Sequence, residues 1–188
     1  NIIFGAQLEQ QSYATSYIPN YGTAAGVTRA ADNPNSTGDL SSLVNSYPFS
    51  MYVHSKYVGG NRFTLAFSNT SVDNQYYTIS VVDDEVRLDA RANGTSERLQ
   101  SGITLNEGDE FKAAIVMESD TIGKICVNGG SVLYKNDFSL QSINSSIKYL
   151  IIGKLRIVND TGDRLPVFEA RLYDEALSDS KLEELTTL

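Results

Sequence analysis

From residue 48 onward, apolar and polar side chains alternate with a period of two, in short segments separated by turn residues. This alternation predicts β-strands with one buried face, because successive side chains of a strand point to opposite sides. The clearest turn signals lie at residues 59–61, 83–84 and 128–130. The side chains predicted to be largely buried are Phe49, Met51, Val53, Phe63, Leu65, Phe67, Val86, Leu88, Phe111, Ile115, Ile125, Val127 and Leu172.

The last predicted strand, residues 167–173, has an inward face that the pattern leaves open. Two alternating sets compete for it, Phe168 with Ala170 and Leu172, and Val167 with Arg171 and Tyr173. A short helix is predicted to follow, over residues 178–185. Ser178 is its candidate N-cap, and Asp179 places a negative charge at the positive end of the helix.

The chain shows no other convincing amphipathic helix, so the predicted fold is a two-sheet antiparallel β-sandwich with a short C-terminal helix. A length of 188 residues and a hydrophobic content of 41% suit one all-β domain of this kind. We expect the sandwich to occupy residues 48–188. Residues 1–47 are predicted to form an N-terminal strand and a junction from an upstream β-domain.

The chain begins with an apolar segment, Ile2, Ile3, Phe4 and Leu8, that has no partner strand nearby in the sequence. Because the sequence starts on this strand without an initiator Met, we expect the chain to be a piece of a longer protein. Two interpretations of the segment stay open. It packs against an upstream domain or a neighbouring chain, or it completes a sheet of its own domain.

Charge and the rarer residues exclude several kinds of function. The formal net charge is −8, which argues against nucleic acid as a partner, since phosphate binding needs a basic surface. No apolar run approaches the roughly 18 residues of a membrane span, and we expect no membrane partner. Cys126 is the only cysteine and is predicted to be a buried, inert thiol. His54 is the only histidine, so a two-histidine metal site cannot form.

Three sequence blocks near the N-terminus are specific: G-A-Q-L-E at 5–9, A-T-S-Y-I-P at 14–19 and T-R-A-A-D at 28–32. In this order and spacing they resemble a junction in tailed-phage and prophage virion proteins. There, a carbohydrate-binding-module-like β-domain leads into a concanavalin A-like (LamG-like) β-sandwich. Weaker matches to such sandwiches follow at 108–116, 124–130, 149–153 and 168–185. The resemblance therefore implies a concanavalin A-like jelly roll without a cofactor.

The same resemblance implies a non-enzymatic module of a phage fibre, tail or head appendage. Such a module would be located in the virion and exposed to the extracellular medium. Its implied partners are a host-surface polysaccharide and other virion proteins, and its implied assembly is a homo-oligomer, in particular a trimer. Two other functions stay open: a polysaccharide-degrading enzyme on the same fold, and a structural spacer or oligomerisation domain without a ligand.

Enzymatic and metal chemistry find little support in the sequence. Glycoside hydrolases need two carboxyl groups at a set separation, and the Glu-x-Asp-x-x-Glu pattern of laminarinase-like proteins does not occur. The acids at 83–85 and 174–175 are better explained as a solvated turn and a corner. The flanking patterns of alginate lyases are also missing. Calcium ligands would come from Asp73-Asn74, or from Asn159-Asp160 with Asp163, but we predict no metal because solvated acids are common in so acidic a chain.

A sugar site needs an aromatic face for stacking and a few fixed polar groups beside it. Since the chain has no Trp, tyrosine is the candidate platform. The alternation places Tyr52, His54 and Lys56 outward together, and it places Arg87 and Arg91 outward on a later strand. If the two strands share a sheet, these five side chains line one groove, with Tyr52 as the platform and cations suited to an acidic polysaccharide. The alternative is an ordinary solvated sheet face, or one that a neighbouring subunit covers.

Overall fold

The computed structural model describes residues 47–68, 75–92, 95–140, 149–152 and 166–188. The strands are β1 (Phe49–Lys56), β2 (Arg62–Ser68), β3 (Gln75–Val82), β4 (Glu85–Ala92), β5 (Thr95–Thr104), β6 (Glu110–Met117), β7 (Gly123–Val127), β8 (Leu133–Lys135), β9 (Tyr149–Ile152) and β10 (Val167–Tyr173). One helix, α1 (Asp179–Thr186), follows the last strand. None of the helical structure in the described residues is long and apolar enough to cross a membrane.

The strands form two antiparallel sheets of five. The first sheet has the order β10-β1-β6-β7-β8, and the second has the order β5-β4-β3-β2-β9. All of the strand pairs within them are antiparallel. The predicted two-sheet sandwich with a short C-terminal helix is therefore confirmed. The predicted boundary at residue 47 and the apolar segment at residues 2–8 lie outside the described residues and stay predictions.

The main core lies between the two sheets and is built from alternate residues of the strands. Eleven of the thirteen side chains predicted to be buried lie in it with little or no solvent exposure. Leu172 is only partly buried against this core, and the side chain of Phe63 lies outside the described part of the chain. The period-two pattern thus identifies the inward face correctly because each strand keeps its alternation along its length.

A β-bulge settles the open question about the inward face of β10. His54 pairs with Glu169 and Ser55 pairs with Val167, so Phe168 is the extra, unpaired residue. A bulge shifts the alternation by one position. Val167, Ala170 and Leu172 therefore all pack against the core, whereas Phe168 leaves it and is 54% exposed.

Strand β5 is the element that the sequence does not predict. It runs over ten residues at the edge of the second sheet and pairs with β4. Only Leu99 and Ile103 of β5 pack against the main core, and both are partly buried. Two apolar side chains in ten residues give too weak an alternation to stand out from a polar loop.

Helix α1 covers part of the outer face of the first sheet. A second apolar cluster fills the space between them, formed by Tyr52, Ala114, Val116, Cys126, Leu177 and Leu182. Cys126 lies 3.2 Å from the hydroxyl of Thr186 on the helix, and burial raises the pKa of its thiol. The prediction of a buried thiol is confirmed, and the pKa shift keeps that thiol protonated and unreactive.

The N-terminus of α1 is capped as predicted, since the Ser178 hydroxyl accepts a hydrogen bond from the Lys181 backbone N–H at 3.3 Å. We expect Ser178→Ala to lower the free energy of unfolding by about 1 kcal/mol, because one backbone donor loses its partner. Urea denaturation followed by circular dichroism measures this loss. Ser131→Ala, which removes an exposed serine hydroxyl that makes no hydrogen bond within the described part of the chain, is the matched control and should change stability by less than half as much.

Candidate functional site

The structure divides the five predicted site residues between two surfaces. Tyr52, His54 and Lys56 lie on β1, whose inward positions belong to the core, so they occupy the outer face of the first sheet. Arg87 and Arg91 lie at the outer positions of β4, in the second sheet. The outer faces of the two sheets point away from each other. The prediction of a single groove is therefore wrong, because the two strands do not share a sheet.

Tyr52 does not form the predicted stacking platform. Its side chain is 2% exposed and belongs to the apolar cluster beneath α1. The guanidinium of Arg171 lies over the ring, 5.5 Å from its centroid, and burial raises the pKa of the phenol. A sugar ring has no access to a side chain in this position, so Tyr52 supports the packing of the helix instead.

His54 keeps the predicted outward orientation on the first sheet. Its Nε2 atom lies 3.3 Å from a carboxylate oxygen of Glu110 on the neighbouring strand. Its ring meets the ring of Phe168 edge to face, with the centroids 4.9 Å apart. Lys56 is half-buried at the end of the same strand, opposite Glu110 in register. The outer face of the first sheet thus combines an exposed aromatic side chain with fixed polar groups.

The outer face of the second sheet carries a regular array of polar side chains. Three cross-strand rows run from β3 through β4 to β5: Tyr76, Arg91 and Ser96; Thr78, Asp89 and Arg98; and Ser80, Arg87 and Gln100. We call the part formed by Tyr76, Ser80, Arg87, Asp89, Arg91 and Arg98 the arginine face. Its spacing follows from strand geometry, since facing residues on paired strands lie about 5 Å apart.

Asp89 is the centre of the arginine face. Arg87 Nε donates a hydrogen bond to Asp89 Oδ2 at 2.8 Å, and the Ser80 hydroxyl donates to the same oxygen. Arg98 Nε lies 3.8 Å from the other carboxylate oxygen. The side chains of Arg87 and Asp89 are each 10% exposed, whereas that of Arg98 is 56% exposed. A buried ion pair therefore supports a more accessible guanidinium group.

Arg91 lies directly opposite Tyr76 in the sheet. Its Nε atom is buried and has no hydrogen-bond partner among the described residues. Burial raises the pKa of the Tyr76 phenol, Asp89 raises it further, and the nearby arginines oppose both effects. The arginine face thus holds three guanidinium groups and the Asp89 carboxylate, with an unsatisfied donor on Arg91. The Glu85 carboxylate lies beside the face, where it accepts from Gln100 and from the Gly102 backbone, so the arginines remain in excess. Such an arrangement favours an anionic ligand.

Tyr76, Ser80, Asp89 and Arg98 are members of this face that the sequence did not single out as site residues. Tyr76 is preceded by Gln75 and followed by the inward Tyr77, and the alternation of β3 does place it outward. Arg98 could not be placed, because β5 itself was not predicted. The signal that would have found it is the short alternation of Ser96, Arg98 and Gln100.

The acids considered as catalytic candidates have structural roles. Asp83 and Asp84 form the turn between β3 and β4, with φ angles of 52° and 64°, as two-residue hairpin turns require. The buried Tyr57 hydroxyl donates to the Asp84 carboxylate. Burial and this hydrogen bond raise the pKa of Tyr57 to about 12. The predicted turn is confirmed for Asp83 and Asp84. Glu85 is instead the first residue of β4, and its carboxylate accepts hydrogen bonds from Gln100 and from the Gly102 backbone.

Within the described ranges, no group of three or more His, Cys, Asp or Glu side chains could hold a metal ion. The candidate calcium ligands at residues 73–74 and 159–163 lie outside those ranges.

Known structures share this fold at low sequence identity. The CBM40 module of the IT-sialidase of Ruminococcus gnavus superposes with a TM-score of 0.63 and 17% identity, over 82% of this chain and 94% of that one. A variant of the NanB sialidase from Streptococcus pneumoniae gives 0.61 and 20%, over 79% of this chain but only 26% of that longer one. A SAP-like pentraxin from Limulus polyphemus gives 0.57 and 14%, over 72% and 68%.

These likenesses define the class of fold. The CBM40 module and the pentraxin have concanavalin A-like jelly-roll folds, and this chain has the same architecture. No family model and no curated protein matches the sequence. At identities of 14–20%, the similarity extends to the fold and leaves the ligand to be inferred from the site itself.

Proposed function

We propose that this chain is a non-enzymatic, glycan-binding module of a phage virion protein, and that its arginine face binds an acidic polysaccharide. The observation that carries the proposal is the surplus of guanidinium groups on that face, where Arg87 and Arg98 contact Asp89 and Arg91 lies two positions further along β4. In a chain with a net charge of −8, such a local surplus attracts anionic ligands against the overall field.

Some residues of the arginine face would contact the polysaccharide, and others would hold those residues in position. Arg98 is accessible, and Arg91 is partly exposed although its unpaired Nε atom is buried. Planar guanidinium groups bind carboxylates through paired hydrogen bonds, so these two are the contact residues. Arg87 and Asp89 are positioning residues, because their buried ion pair holds the surface in which Arg98 lies. Tyr76, opposite Arg91, supplies an aromatic surface for the sugar ring.

One structural neighbour supports an acidic ligand. A structure of the Ruminococcus gnavus CBM40 module has been solved with bound α2,6-sialyllactose, a sugar that carries a carboxylate. That structure superposes on this chain with a TM-score of 0.58 and 15% identity. An arginine-rich sheet face on the same fold suits the same chemical class of ligand.

The virion role rests on the sequence blocks at residues 5–32 and their resemblance to phage junctions. We infer a trimeric fibre or appendage on the exterior of the particle, where the module adheres to host-surface glycans. A non-enzymatic role is preferred because Asp83 and Asp84 form a turn, Glu85 is bound by Gln100 and Gly102, and Asp89 is bound by Ser80 and two arginines. A reducing-sugar and unsaturated-product assay over mixed polysaccharides tests for enzymatic cleavage.

Binding to polysialic acid, alginate and hyaluronan tests the acidic-ligand proposal. We expect saturable binding to at least one of them, and we expect the Arg91→Ala, Arg98→Ala double variant to bind it at least about tenfold more weakly. The reason is that each charge-assisted hydrogen bond contributes about 1.5–3 kcal/mol. Binding should also weaken as salt rises, since exposed charges are screened over about 8 Å at physiological ionic strength.

Arg171→Ala is the matched control, because it removes an exposed arginine from the opposite sheet. It should bind the acidic polysaccharide as the unchanged chain does. Full binding by the double variant, or an equal loss in the control, would exclude the arginine face as the site.

A further inference from the structure

We propose a second glycan site on the outer face of the first sheet, where Phe168 and His54 form a stacking platform for a neutral pyranose ring. This proposal does not depend on the arginine face, which lies on the opposite side of the sandwich. Its starting point is the β-bulge in β10, which turns Phe168 away from the core and leaves its ring 54% exposed. Bulges often re-aim a side chain beside a functional site.

The exposed ring is held in a defined orientation. His54 contacts it edge to face, with ring planes at 61°, and His54 is itself held by Glu110. A single exposed apolar residue is ordinary on a protein surface. An exposed aromatic ring that a second ring holds in place is a better binding surface. It loses little side-chain conformational entropy when a ligand stacks on it.

Fixed hydrogen-bonding groups surround the platform. On β10, the guanidinium of Arg171 contacts one carboxylate oxygen of Glu169 through both Nε and Nη2, at 2.7 and 2.6 Å. The same guanidinium rests on the Tyr52 ring. These contacts hold Glu169 and Arg171 beside the aromatic pair. A carboxylate accepts from sugar hydroxyls and a guanidinium donates to them, so together they can bind adjacent hydroxyl groups.

The charges around the platform favour a neutral ligand. The carboxylates of Glu110 and Glu169 face the cations of Arg171, Lys56 and Lys112, which lie on β10, β1 and β6. Lys112 is directed towards the end of α1, where its Nζ donates a hydrogen bond to the Thr187 carbonyl at 2.7 Å. Three cations against two carboxylates leave an excess of one, and the Thr187 carbonyl engages that lysine, so an anionic sugar gains little attraction here. The C–H side of an uncharged pyranose matches the aromatic ring, and its hydroxyl groups match the flanking ion pair.

His54 provides a direct readout because it is the only histidine in the chain. Its ring proton signals in NMR spectra therefore report on this face without ambiguity. We would titrate the full chain with maltohexaose, cellohexaose and mannohexaose, each at low salt and at about 0.5 M salt. We expect at least one oligosaccharide to shift the His54 signals saturably. The shift should persist at high salt, since stacking on a neutral ring is not screened.

Phe168→Ala should weaken this binding about tenfold or more, whereas Phe168→Tyr should keep it within about threefold. Both variants should remain folded, because the side chain is exposed, and circular dichroism checks this. The Arg91→Ala, Arg98→Ala double variant should leave neutral-sugar binding unchanged, so failure of one site is distinguishable from failure of the other. If none of the three oligosaccharides shifts the His54 signals, or if Phe168→Ala binds as tightly as the unchanged chain, the proposal is wrong.

Discussion

Phe111→Ala is expected to lower the free energy of unfolding by about 3–5 kcal/mol. Phe111 lies on β6 with no solvent exposure, inside the core between the two sheets. Removing its ring loses the transfer free energy of the buried atoms and leaves a cavity that a close-packed sandwich fills only in part. Urea denaturation measures the loss as a lower midpoint at an unchanged slope.

Phe168→Ala is the matched control for this experiment, since it makes the same chemical change in the same sheet at an exposed position. It should alter stability by less than about 1 kcal/mol. Equal losses from the two substitutions would show that β6 has been placed in the wrong register.

Asp89→Ala should be nearly as damaging, with an expected loss of about 3 kcal/mol. Asp89 is the one carboxylate that Arg87, Arg98 and Ser80 share. Without it, Arg87 is left as a largely buried cation with no counter-charge, and breaking one side of a buried ion pair typically costs about 3–5 kcal/mol. Chemical denaturation again supplies the measurement.

Two further substitutions test whether the loss of stability at Asp89 comes from its charge and from the burial of its ion pair. Asp89→Asn keeps an acceptor for the arginines and should lose less than Asp89→Ala, though the counter-charge is gone. Asp137→Ala removes an aspartate that pairs with Lys135 while 85% exposed, and it should change stability by no more than about 0.5 kcal/mol. A loss at Asp137 that matched the loss at Asp89 would contradict a special role for the buried pair.

Alternation along the chain was enough to predict most of the strands, and the inward faces of all the predicted ones except β10. Phe49, Met51 and Val53 are buried as expected, because the period of two is a local property of an extended backbone. The helix and its cap at Ser178 were predictable for the same reason, since capping depends on residues three positions apart.

The candidate site was harder to predict because it depends on which strands are neighbours. The pattern correctly turns Tyr52 and Arg87 outward, but it carries no information about whether β1 and β4 share a sheet. Strand pairing is set by contacts between distant segments, and here it separates the two residues onto opposite outer faces. The pattern also does not show that α1 folds back over Tyr52.

Two local features defeated the alternation itself. The bulge at Phe168 shifts the register by one residue. Because β10 has apolar side chains on both faces, its sequence gives no sign of this shift until the partner strand is known. Strand β5 has too few apolar residues to be recognised, although seven of its ten residues pair in register with β4. Arg98, the most accessible cation of the arginine face, was lost with it.

The single thiol beneath the C-terminal helix can be used to detect local detachment of that helix from the sheet. Cys126 touches Thr186 across the interface between sheet and helix, and no second cysteine competes for a reagent. Labelling of this thiol can therefore proceed only when the helix lifts or the domain unfolds. The rate at which Cys126 is labelled in native buffer therefore measures the free energy of helix detachment. Comparing this rate between variants of the cap and of the helix–sheet interface gives the contribution of each substituted residue, and no probe has to be introduced.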